Sequence, residues 1–184
     1  ATTVVLPHDG NRFTRSLERG SFDPAAMPVT QWLDDRVPIV DRDRWRLVVA
    51  GRPWSLAELD ELVQERGRER LATLDCTGGW YSDQRWSGVA LDQLLADSGA
   101  DDGRSLEVRS LTGYSRRLPA GDGGRLLVAT ALGGHPLSAG HGAPARLVAP
   151  GRRELWWVKM ARVDRAIGHP VVVPAAVPAD LTDP

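Results

Sequence analysis

The chain has one cysteine, Cys76, and the residues around it are of types that could put a thiol to chemical use. It lies in a stretch running from Leu74 to Val89. The apolar residues 71–74 read as a short strand leading to the thiol. Gly78 and Gly79 then remove two side chains from whatever surface Cys76 faces, and Trp80, Tyr81 and Trp86 supply large flat surfaces before the chain passes Gly88 into a helix. A soft thiolate at a strand end, with bare backbone beside it, can admit a bulky ligand closely. Two other uses compete. Lone cysteines are more often small buried hydrophobes, although a core cysteine needs no glycines to clear space. A nucleophile needs a histidine and an orienting group near the thiol. His8, His135, His141 and His169 are candidates, but no protease signature surrounds Cys76. Zinc is disfavoured, since one cysteine and scattered histidines give neither CxxC nor HExxH spacing.

The second group of chemical residues spans 133–160. His141-Gly142 opens a tight turn, Pro144 stiffens it and Arg146 begins a strand; Gly151, Arg152 and Arg153 form the next turn, and Lys159 ends the following strand. In a hairpin, Arg146 and Lys159 could project into one pocket with His141 at its rim. Such a trio suits a phosphate, which arginine holds through paired charge-assisted hydrogen bonds. Arg152 and Arg153 read as strand-end cations facing water. Of 23 basic residues Lys159 is the only lysine, which fits a place where an arginine fork would not.

These residues need elements to hold them. Asp23-Pro24 is a helix-start pair cut short by Met27-Pro28, so a short helix or turn is expected, and another over residues 30–37. Residues 45–49 alternate as a half-buried strand, and residues 51–53 turn. Ser55 with Glu58 forms a capping box ahead of Leu56, Leu59, Leu62 and Val63, and Gly67 ends that helix. A second helix is expected over residues 90–97. Strands are expected at residues 106–109, 116–118, 125–130, 146–149, 156–160 and 162–167. The pattern predicts an α+β domain of mixed, mainly antiparallel sheets flanked by short helices, over residues 11–169. Residues 1–10 form an extended lead-in and 170–184 a proline-rich tail.

Composition narrows the function. A hydrophobic fraction of 42% and a charged fraction of 26% suit a globular domain. A net charge of −1 recommends neither nucleic acid nor an anionic membrane as partner. A single cysteine excludes an internal disulfide. No apolar run reaches the ~20 residues of a membrane span, and no signal peptide is evident.

Taken in order, LDCTGGW and WSGV (residues 74–80 and 86–89), LTGYSRRLP (111–119), HGAPARLVAPG (141–151) and WWVKM (156–160) resemble the molybdopterin-binding domain of the sulfite oxidase family. The likeness is strongest to short bacterial members without the haem domain, and it covers roughly residues 11–167. The resemblance implies a sulfite-oxidase-type fold and a molybdenum–molybdopterin cofactor of mononucleotide, not dinucleotide, type. It implies that Cys76 ligates the metal. It also implies that Phe13, Arg15, Thr77, Gly78, His141, Arg146 and Lys159 hold the pterin and its phosphate. The family often shows a second aromatic after the place of Phe13, where this chain has Thr14.

The activity implied is oxygen-atom transfer to or from a small sulfite- or sulfoxide-like substrate, with electrons passed to a separate haem protein or membrane subunit. Trp80, Tyr81 and Arg85 are expected to line the substrate approach, with a core role as the alternative for Trp80. The substrate segment and dimerisation domain that eukaryotic sulfite oxidases carry beyond the cofactor domain are not expected here. The start at Ala1 suits a domain processed or excised from something longer, extracytoplasmic or attached to a membrane protein. The alternative function is a cofactor-free binding or assembly module of the same fold.

Overall fold

Ser55 and Glu58 close the capping box that their spacing predicts: the Glu58 amide donates to Ser55 Oγ at 3.2 Å, and the Ser55 amide to Glu58 Oε2 at 2.7 Å. The helix they start, α1 (Leu56–Arg66), turns Leu59 and Leu62 into the core. It stops at Gly67, where a Cβ would lie 2.2 Å from the Val63 carbonyl oxygen. A computed structural model describes residues 15–30, 36–100 and 105–166. The expected lead-in and tail, and most of the expected helix at 30–37, lie outside the described residues.

The strands are β1 (Leu17–Glu18), β2 (Arg46–Val49), β3 (Arg52–Ser55), β4 (Arg68–Cys76), β5 (Trp80–Ala90), β6 (Ser105–Ser110), β7 (Ser115–Pro119), β8 (Leu127–Leu132), β9 (His135–Pro136), β10 (Arg146–Val148) and β11 (Ala161–Ala166). The second helix, α2 (Leu91–Asp97), follows β5 directly, and 3₁₀ turns cover Ala120–Arg125 and Glu154–Trp156. One sheet runs β1-β5-β8-β10, with β4 paired to β5 and β9 to β8; the other runs β3-β2-β11-β6-β7. The β1–β5 and β11–β2 pairs are parallel and the rest antiparallel. This is the α+β class that the pattern predicts.

The long β4–β5 hairpin positions the cysteine. Ala72, Leu74 and Cys76 are all buried, as the period of two along a strand requires. Cys76 pairs with Trp80 across a turn in which Gly79 takes φ +84°. Farther along, β5 shifts register between Ser87 and Gly88, and a Cβ on Gly88 would lie 2.0 Å from the Val128 carbonyl oxygen. Glycine is needed there for β5 and β8 to approach.

Asp23 caps a turn, one of the two forms expected there, its carboxylate accepting from the Ala25 and Ala26 amides. Two local expectations change. The turn expected at residues 51–53 is shorter: Ala50 and Gly51 take positive φ, and Arg52 and Pro53 join edge strand β3. The strand expected at residues 156–160 reduces to an isolated bridge between Arg146 and Lys159. Met160 at φ +48° breaks the alternation there, so that Lys159 and Met160 both face one cavity. Among the described residues no helix is long and apolar enough to cross a membrane.

Candidate active site

Arg146 is the most deeply placed charge of the described residues, 1% exposed. Its guanidinium carbon lies 5.1 Å from the ring centre of Trp86 and 5.4 Å from that of Trp157. Both indoles are locked, Trp86 Nε1 donating to the Ala72 carbonyl and Trp157 Nε1 to the Arg152 carbonyl. Arg146 Nη1 donates to the His141 carbonyl at 3.1 Å, while its Nε and Nη2 are buried with no hydrogen-bond partner. Burial pushes its pKa down to about 10, partly offset by Glu154.

Lys159 stands beside it. Its Nζ donates to the carbonyls of Thr30 and Gly140 at 2.5 and 2.7 Å. Burial, and then the neighbouring Arg146 charge, push its pKa down to about 8. Gly142, at φ +100°, makes room for both stems, because a Cβ there would lie 3.0 Å from Lys159 Cγ and 3.2 Å from Arg146 Cβ. His141 is 8% exposed, and its ring bridges Ser138 Oγ (Nδ1, 2.9 Å) and the Met27 carbonyl (Nε2, 3.2 Å). A carbonyl only accepts, so Nε2 carries the proton and Nδ1 accepts from the serine. Burial holds this histidine below its ordinary pKa. His141 thus ties the Met27 segment to the loop that leads to Arg146.

Cys76 is 6% exposed, and its Sγ accepts from the Gly78 amide at 3.3 Å. A Cβ on Gly78 would lie 3.4 Å from that sulfur, so the glycine leaves the sulfur's surroundings open. Burial and a hydrogen bond to Glu154 push the thiol's pKa up to about 12. Glu154, Thr77, Lys159, Tyr114 and Arg36 are among the walls of a cavity of about 250 Å³.

Glu154 is the residue that sequence reasoning missed, because an acid after two arginines reads as solvated charge. Arg153 is exposed, as expected, and its guanidinium also reaches the Cys76 carbonyl at 3.4 Å and Asp75 at 3.8 Å. Arg152 pairs with Asp122 at 2.7 Å.

The remaining candidates are dispersed. Thr77 lines the cavity, and Trp80 is half-buried opposite Cys76 and packs on the core. Tyr81 is 2% exposed. Arg85 is exposed on the far part of the hairpin, opposite Leu71 and ion-paired to Glu69 at 3.0 Å, away from the cavity. Arg15 is exposed and not among the cavity walls, and Phe13 lies outside the described residues.

A buried thiol next to Thr77 on the cavity wall, with an unsatisfied guanidinium buried behind Trp157 and Lys159 of the same cavity, suits an anionic, metal-bearing ligand. The family pattern "oxidoreductase molybdopterin binding domain" matches residues 34–163, and the chain belongs to that family. It is a molybdopterin-binding oxidoreductase domain of the sulfite oxidase type, as its sequence motifs imply. Among solved structures, it is similar to the crystal structure of the sulfane dehydrogenase SoxCD from Paracoccus pantotrophus. The TM-score is 0.62 at 22% identity, over 70% of this chain and 40% of that one. The likeness shows the fold, and this chain spans well under half of that protein's length. Comparison with curated proteins gives no match.

The family implies a molybdenum–molybdopterin cofactor, and the residues present fit it. Arg146 has two buried donor atoms without acceptors, Lys159 adds a second cation on the cavity wall, and Cys76 offers a soft sulfur next to Thr77 on that wall.

Proposed function

We propose that this domain holds a molybdenum–molybdopterin of mononucleotide type and transfers an oxygen atom to or from a small substrate. The observation that carries the reading is Arg146. A guanidinium this deep, with Nε and Nη2 unpartnered, calls for an anion, since a buried charge left unpaired is costly. One arginine and one lysine suit one phosphate. Cys76 would be the metal's protein ligand. Arg146 and Lys159 would hold the phosphate, His141 would fix the loop carrying them, and Thr77 and Gly78 would back the pterin. Phe13 and Arg15 are proposed to complete the cofactor's surroundings from the start of the chain.

When bound, the cofactor supplies the two-electron, oxygen-transfer chemistry, and the protein supplies orientation and access. In the reducing direction the substrate's oxygen leaves as water for every two electrons and two protons taken up. In the oxidising direction water supplies the oxygen and the same electrons and protons are released. A separate redox partner, a haem protein or membrane subunit, is proposed to carry the electrons. The thiol itself argues against a nucleophilic cysteine, because at a pKa of about 12 it stays protonated at neutral pH. A coordinating metal cation displaces that proton.

The test is metal analysis of the chain made in a cofactor-competent host, with fluorescence of the oxidised pterin after release. Equimolar molybdenum and pterin, and turnover with sulfite, S-oxides or N-oxides and a redox dye, are expected. Absence of both molybdenum and pterin would overturn the reading in favour of a cofactor-free binding or assembly module.

A further inference from the structure

We propose that Ser16 is a positioning residue for Cys76: its hydroxyl pins the neighbouring Asp75 and thereby fixes the direction in which the sulfur meets the metal. This deepens the function proposed above and rests on it.

The stretch around the thiol is tied down by residues remote in sequence. Ser16 is fully buried, and its Oγ donates to Asp75 Oδ1 at 2.8 Å. One residue on, the Leu17 amide donates to the Gly79 carbonyl at 2.9 Å, and β1 then pairs with β5 from Trp80. The Gly79 amide closes the turn onto the Cys76 carbonyl at 3.2 Å. Arg153 approaches the Cys76 carbonyl and Asp75 from the start of the 3₁₀ turn. Both segments therefore hold the end of β4.

The Ser16 contact has the leverage on the sulfur. Asp75 and Cys76 are consecutive strand residues joined by a planar peptide, so a rotation of one about the strand axis turns the other. The Leu17 and Gly79 amide bonds are made by backbone and survive a change of side chain. Arg153 is exposed, and its ion pair with Asp75 spans 3.8 Å, so its hold is weak. Ser16 acts on the residue directly before the thiol, through a buried hydrogen bond.

The chain bends to make this contact. Arg15 takes φ +57°, a left-handed conformation unfavourable for a residue with a Cβ, and stays exposed while Ser16 turns fully inward. Such strain persists where surrounding contacts hold it, and the contact delivered here is Ser16 against Asp75. Groups one step removed from a metal orient its ligands, and losing one lowers metal affinity about 10–100-fold.

The test compares Ser16→Ala and Ser16→Thr with Ser55→Ala, which removes the cap of α1 and destabilises the fold outside the site. In the cofactor-loaded chain the readouts are molybdenum kept through dialysis and the paramagnetic resonance spectrum of the one-electron-reduced metal. Ser16→Ala is expected to lose molybdenum about 10–100-fold faster and to change the spectrum. Ser16→Thr, which keeps the hydroxyl, and Ser55→Ala are expected to keep the parental spectrum. In the cofactor-free chain, Ser16→Ala is expected to speed amide hydrogen exchange at Leu17 and Gly79 about tenfold, with Ser16→Thr near the parent. A parental spectrum in Ser16→Ala, or the same change in Ser16→Thr or Ser55→Ala, overturns the proposal. Unchanged exchange in Ser16→Ala does so too. If the parent carries no molybdenum, the enzyme reading fails by itself, and the exchange rates still decide whether Ser16 holds the cysteine turn.

Discussion

Arg146 and Lys159 are partners in an isolated antiparallel bridge, so two cations stand side by side, Lys159 on the cavity wall and Arg146 buried beside it. Like charges placed directly opposite destabilise a strand pair, and here one of the two is fully buried. The arrangement works against the empty protein and in favour of an anion.

Arg146→Met should show this trade. A linear apolar side chain fills the slot between Trp86 and Trp157 without a buried charge. The cofactor-free chain is expected to gain about 1–4 kcal/mol, in line with other buried charges replaced by hydrophobes. The same variant should lose pterin retention. Urea unfolding and pterin fluorescence measure the two effects, and a destabilised variant that keeps its pterin would contradict the assignment.

Lys159 makes a pH prediction of definite sign. Its pKa is about 8 in the folded chain against an ordinary 10.5, so between those values the unfolded chain binds more protons. Stability of the cofactor-free protein should therefore rise with pH across that window relative to Lys159→Met. A bound phosphate keeps the ammonium charged and should flatten the difference. Paired unfolding curves at pH 7 and pH 10, with and without cofactor, test both statements.

Cys76 should be nearly inert as a thiol. With its pKa raised from 9.0 to about 12, the thiolate fraction near pH 8 falls on the order of 10³ below that of an ordinary cysteine. Iodoacetamide should label the folded, cofactor-free chain at least that much more slowly than the denatured chain. Cys76→Ser should leave melting within a few degrees of the parent and abolish molybdenum retention. Rapid labelling at neutral pH would reopen the nucleophile reading.

His141 predicts acid sensitivity. Its folded pKa lies below the ordinary 6.5, so its contribution is present above that value and is lost as pH falls through it toward the folded pKa. Protonation of Nδ1 would set a donor against Ser138, whose hydroxyl must then turn round to accept. His141→Gln should remove this part of the acid dependence, read as the slope of melting temperature between pH 7 and pH 5.

Much of this was legible in the sequence because local rules decided it. The Ser55–Glu58 box, the glycine stop at Gly67 and the burial of Leu59 and Leu62 follow from spacing alone. So does the placement of Cys76 at a strand end. The pairing of Arg146 with Lys159 was legible from the hairpin, although the strand expected around Lys159 was not. A left-handed residue such as Met160 leaves no signature in a β-forming run like Trp156 to Val158.

Glu154 was invisible for a different reason. Its neighbours in sequence are Arg153 and Leu155, but its neighbour in space is a cysteine far up the chain, brought there by packing of the 3₁₀ turn on β4. Arg85 shows the converse. Nearness to Cys76 in sequence did not carry it to the cavity, because a strand moves its residues away by about 3.3 Å per step.

Trp86 and Trp157 meet edge to face, with ring centres 5.3 Å apart and planes inclined at 71°. Two indoles held rigidly at that distance couple optically, and the cation they enclose is the one proposed to grip the phosphate. The domain thus carries a built-in chromophore pair at its anchoring point, so occupancy of the pocket can be followed by near-ultraviolet circular dichroism without any added label.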